Sequence, residues 1–216
     1  MKALVLSAMA VSFLILGCES PVRKAMYSAY ETVGVEKRDI LRRRVDKARD
    51  EQKDAGESFK DALEEFKKLY SFDGGSLEKQ YRKMKDAYED SEEDAKEVRT
   101  SIASMDQVAK DLFKEWESEI ANMEAKDLRD RSSTLRRETK TKYDSLFTAL
   151  KKSEAKMEPV LKKLHDQVLF LKHGLNAKAI ASLKGQAVHI EGDIEKLMTE
   201  MNAAIREADA FIADLK

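Results

Sequence analysis

Apolar and small residues recur along most of this chain at alternating steps of four and three. From 41 to 69 they fall at Leu41, Val45, Ala48, Ala55, Phe59, Ala62, Phe66 and Leu69, with Gln52 the one polar member of the series. A longer series runs Leu77, Tyr81, Met84, Tyr88, Ser91, Ala95, Val98, Ile102, Met105, Ala109, Leu112 and Trp116. Its next step, to Ile120, is four where three is due, which resembles a stutter. A third series is Leu146, Leu150, Ser153, Met157, Val160 and Leu164, and Pro159 inside it predicts a kink. The last is Ile180, Leu183, Ala187, Ile190, Ile194, Leu197, Met201, Ala204, Ala208, Phe211 and Leu215, with no polar member. A period of 3.5 held this long predicts helices packed along narrow seams.

The breaks are few. Ser71-Phe72-Asp73-Gly74-Gly75-Ser76 reads as a turn, with Ser76 as helix N-cap. Lys172-His173-Gly174 reads as a helix end, with Gly174 as a left-handed cap and Asn176 capping the next helix. Between the second and third seams no Gly or Pro forces a break. Asp130-Arg131-Ser132-Ser133-Thr134 is the expected turn, because hydroxyl residues cluster there and the register is lost after Met123. Four segments of roughly 40–50 residues would each rise ~60–75 Å. Short connections make successive helices antiparallel. The expected fold is all-α: an elongated, antiparallel, up-down-up-down four-helix coiled-coil bundle. Frequent seam alanines imply a slim core, and such rods sometimes complete it by dimerising.

The N-terminus breaks this pattern. Met1-Lys2 precedes a 14-residue apolar run, Ala3–Leu16, then Gly17-Cys18. A membrane span needs roughly 20 residues, so a signal peptide fits better. Ile15-Leu16-Gly17-Cys18 resembles the lipobox of bacterial lipoproteins, although Leu16 departs from the small or hydroxylated residue usual there. That resemblance implies cleavage before Cys18 and acylation of this lone cysteine. The expected organisation is a lipoprotein signal peptide at 1–17 and one helical coiled-coil domain at 18–216. Glu19, rather than an aspartate, leans the expected location toward the outer membrane. Only Glu19, Ser20 and Pro21 separate Cys18 from the expected first helix, a reach of about 10 Å.

Removal of residues 1–17 takes Lys2 and no acid, leaving 39 basic and 41 acidic residues, a net charge of −2. That balance argues against a nucleic-acid binder. The charge is unevenly spread. Residues 21–49 hold nine Lys/Arg against four Asp/Glu, and 126–142 hold seven against three, whereas 86–97 hold seven acids and one lysine. In an antiparallel rod both basic stretches share the anchored end. Arg42, Arg43, Arg44, Arg136 and Arg137 are therefore candidate contacts for anionic lipid head groups. A solvated helix surface is the simpler explanation, since three consecutive arginines fan around a helix and cannot share one face.

Candidate chemistry is sparse. His165, His173 and His189 lack the i, i+3 or i, i+4 spacing of helical metal ligands, so no metal or cofactor is expected. Neither a nucleophile elbow nor a phosphate-binding glycine loop is present in the sequence. Trp116, Tyr81 and Tyr88 lie on a seam and read as core. The exception is the stretch 166–177, DQVLFLKHGLNA, whose apolar residues surround the helix. It is either a buried cap or a partner surface formed by Val168, Leu169, Phe170, Leu171, Lys172, His173, Leu175 and Asn176.

Pro159-Val160-Leu161, the run DQVLFLKHGLNAKAIASL (166–183) and the ending Ala208-Asp209-Ala210-Phe211-Ile212 resemble an uncharacterised family of proteobacterial helical proteins. That family is known only as a domain of unknown function, and many members begin with a lipoprotein signal. Gly174 stands where an asparagine is common there. The resemblance implies a helical fold and an envelope location, and supplies no activity. The expected function is a structural or interaction protein: a lipid-anchored periplasmic rod, held to the membrane through acylated Cys18, with an unidentified envelope protein or a second copy as partner. A chaperone-like or membrane-remodelling rod is the first alternative, and an enzyme with an unrecognised site the second.

Overall fold

The computed structural model describes residues 21–32, 36–71, 74 and 76–215, and it is all-α. The signal segment and Cys18 lie outside the described residues. Two compact units are present, divided after Glu36. In the first, helix α1 (Pro21–Thr32) begins on its proline, where a missing N–H costs nothing. The second unit holds α2 (Lys37–Tyr70), α3 (Leu77–Ala121), α4 (Lys126–His173) and α5 (Ala177–Asp214). One continuous helix from Pro21 is therefore replaced by two, α1 and α2. The sequence between them, Val33-Gly34-Val35, is a poor helix former.

The four helices of the second unit run about 50–70 Å each. Cross-helix contacts fix their directions. Lys37 at the start of α2 pairs with Glu115 near the end of α3 at 2.5 Å, and Gln80 near the start of α3 meets Glu65 near the end of α2 at 2.7 Å. Likewise Trp116 meets Ser132 and Tyr88 meets His165 between α3 and α4. Lys152 pairs with Glu200 between α4 and α5, and Arg49 with Asp209 between α2 and α5. Each contact joins positions that ascend on one helix and descend on the other, so the order is up-down-up-down. The seams meet in the middle. Every seam residue named for 41–69, Gln52 included, is buried, as are the α5 positions from Ile180 to Phe211. On α3 the inner face drifts past Ala109. Phe113 is buried, while Leu112 and Trp116 are half-exposed.

Two local expectations are corrected. The turn between α3 and α4 is 122–125, not 130–134. Asn122 closes α3, its backbone N–H reaching the Glu119 carbonyl at 3.0 Å. Ser132 and Ser133 lie inside α4, where their hydroxyls are satisfied locally: Ser132 accepts from the Trp116 indole and Ser133 donates to the Arg129 carbonyl. Gly174 is not left-handed, at φ −135°. Its N–H meets the Leu171 carbonyl, and its own carbonyl accepts from Asn176 at 2.8 Å. The chain thus passes straight into the α5 cap, where Asn176 Oδ1 accepts from the Lys178 and Ala179 amides. The α4 helix itself runs through Pro159 without ending.

Candidate interaction surface

The stretch at the end of α4 is neither wholly a cap nor wholly exposed. The periodicity of the helix sorts it. Val168 and Leu171 continue the seam of Leu164 and are buried. Leu169 and Phe170 fall on the outer side and are 46% and 50% exposed. Lys172, His173 and Asn176 are exposed and Leu175 is half-buried. Asn176 is occupied as the α5 cap.

Leu169 borders a groove of about 440 Å³ between α3 and α4. Tyr81, Tyr88, Leu161, His165 and Val168 line it, and Lys85, Glu89, Glu92, Arg99, Glu158, Lys162 and Lys172 ring it. The His165 imidazole stacks on the Tyr88 ring, centroids 5.5 Å apart and planes 29° from parallel. The Tyr88 hydroxyl donates to the Glu92 carboxylate at 3.0 Å. Burial first, and then the Glu92 carboxylate, push the Tyr88 phenol up to about 12, so it stays protonated at neutral pH. Arg99 bridges α3 to Glu158 on α4 at 2.5 Å. The groove offers stacking, apolar contact and charges of both signs.

The sequence placed Tyr81 and Tyr88 on a seam and left His165 unassigned. The antiparallel register joins them, because a residue twelve positions into α3 must face one eight short of the α4 end. At the other end of the bundle lie Arg42, Arg43, Arg44, Arg136 and Arg137, near the start of α2 and of α4. Arg43 and Arg137 are exposed, and Arg42 and Arg44 are half-buried. Arg136 is turned onto α3, donating to the Phe113 carbonyl at 3.0 Å and to Glu117 at 2.8 Å. His173 and His189 are exposed and stand apart from His165. Among the described residues no group of three His, Cys, Asp or Glu side chains is placed to hold a metal ion. None of the described helices is long and apolar enough to cross a membrane.

A search of curated proteins finds none that matches the chain. A family match spans residues 26–215, covering all four helices of the bundle. On that match, the chain belongs to the family described as "Protein of unknown function (DUF2959)".

Proposed function

We propose that this protein is a lipid-anchored scaffold or adaptor of the bacterial cell envelope, held through Cys18 and recruiting a partner protein at the α3–α4 groove. The observation that carries the reading is the half-exposed Leu169 on the rim of the groove of Tyr81, Tyr88 and His165. A large apolar side chain about half exposed, at the edge of a cavity lined by two tyrosines and a histidine, suits burial under a partner side chain. The mixed charges around the groove would supply orientation more than affinity. The lipid anchor rests on Gly17-Cys18 after the apolar run, which supports acylation and, with Glu19, placement at the outer membrane.

Two experiments test this. Cys18→Ser should move the protein out of the membrane fraction, and retention there refutes the anchor. A photocrosslinker at Leu169, used in intact cells, should capture one stoichiometric partner. A spread of unfolded clients would support the chaperone-like alternative instead. No adduct at Leu169, alongside adducts from elsewhere on the bundle, would remove the groove from consideration.

A further inference from the structure

The side of α4 that α5 covers continues beyond the end of α5. Lys163 and Lys142 on that side pair with Asp193 and Asp214 of α5. Stepping back by sevens from Lys142 reaches Leu135 and Leu128. The α5 helix ends at Asp214, the partner of Lys142. Leu128 and Leu135 are each 55% exposed. Arg131 and Glu138 lie on the same side, one turn on from each leucine, and a shallow concavity of about 400 Å³ runs past Arg131, Leu135 and Glu138. Some neighbouring charges are matched within the chain, Lys126 with Asp130, Arg136 with Glu117, and Lys140 with Asp144, while among the described residues Asp127 and Arg137 are not. Arg131 and Glu138 have no ion pair among the described residues.

We infer that this flank is a homotypic contact, covered by the same stretch of α4 from a second copy running antiparallel. A two-fold contact requires a surface complementary to itself. Here a cation and an anion stand seven residues apart with a leucine between them. Laid antiparallel, Leu135 meets its counterpart near the axis, and Arg131 faces Glu138 of the copy on both sides. A parallel arrangement would set Arg131 against Arg131. The charge order thus selects the antiparallel pairing. The inference concerns the opposite end of the bundle from the groove and stands independently of the partner proposed there.

The test uses the full mature chain with Cys18→Ser, kept free of lipid. Sedimentation equilibrium between about 1 and 500 µM should show a reversible monomer–dimer equilibrium, as a short two-helix contact would give. Arg131→Glu alone, or Glu138→Arg alone, turns two attractions into repulsions and should weaken the dimer at least about tenfold. The double variant should recover affinity to within about threefold, and an equimolar mixture of the two single variants should form a heterodimer. Helicity and melting temperature of the dilute monomer should not change, since both side chains are on the surface. A wild-type chain that stays monomeric throughout, single variants that dimerise as well as wild type, or a double variant that does not recover would each overturn the inference.

Discussion

Gln52 should be a net cost to the fold, and replacing it with methionine should stabilise the bundle. Gln52 sits on the α2 seam between Ala48 and Ala55, fully buried, and neither its amide nitrogen nor its amide oxygen has a hydrogen-bond partner. A buried polar group left unpaired costs about 1–3 kcal/mol. Methionine has nearly the same length and volume and is unbranched, so its own packing penalty should stay below about 1.5 kcal/mol. The net expectation is a gain of about 1–2 kcal/mol. For a unit of this size, each kcal/mol moves the melting temperature by about 2–4 °C, so a rise of about 2–8 °C should appear in a calorimetric melt. Gln52→Glu provides the opposite control. An unpaired carboxyl at this depth should cost more than about 3 kcal/mol near neutral pH, and less as acid neutralises it. If Gln52→Met lowers the melting temperature, the reasoning fails. A buried water bonded to the amide would then be the remaining explanation.

Gly185 and Gly192 lie inside α5 with no atom within 4 Å of an added Cβ, so each Gly→Ala change should add about 0.5–1 kcal/mol, read as additive rises in melting temperature. Gly74 has φ 152°, so Gly74→Ala should instead destabilise the α2–α3 turn by about 1 kcal/mol in the same assay. The hydrogen bond and charge of Glu51 hold Glu97 above its ordinary 4.5; stability from this group is present below that value and lost as pH rises through the raised one. Glu97→Gln should therefore raise the melting temperature near pH 7 and leave it unchanged well below about pH 4, and a loss at neutral pH would refute the sign. Amides of 126–133 should exchange with solvent faster than those of 146–164 by about tenfold or more, because of the bundle's four helices only α3 and α4 continue past the start of α2.

Most of the bundle was legible because seam burial depends on spacing alone. A side chain at every third or fourth position must face inward whichever helix it meets, so Leu41 to Leu69 and Ile180 to Phe211 could be assigned from their rhythm. What lay outside that reach depended on which helix is opposite. The Tyr88–His165 stack joins residues 77 positions apart and follows from the antiparallel register, not from local pattern. The outward face of Leu169 and Phe170 was hidden because Val168 to Leu171 reads as one apolar run. Only the phase of the seam through Leu164 separates the buried pair from the exposed one. Gly174 misled because glycine permits a left-handed cap without requiring one, and the amide of Asn176 took its carbonyl instead.

The misplaced turn has a different cause. The rhythm fades after Met123, and a fading rhythm beside two serines and a threonine looks like a loop. The helix nevertheless continues, and its inward positions continue with it: Arg129, Ser132 and Arg136 all face α3. Ser132 and Arg136 make polar contacts there, to the Trp116 indole, the Phe113 carbonyl and Glu117, and Arg129 reaches the Met123 carbonyl in the turn. Four helices enclose a common centre and favour apolar seams on all of them, with Gln52, Ser91 and Ser153 the buried polar members. Where α3 and α4 meet without α2 and α5, their shared positions are polar, and the apolar residues stand on the flank as Leu128 and Leu135. The loss of register therefore falls beyond the start of α2 and the end of α5, where of the bundle's four helices only α3 and α4 continue. By the same logic, leucines displaced from the seam onto a flank where each stays 55% exposed add little to the α3–α4 packing, which is the physical ground for assigning that flank to contact with a second copy.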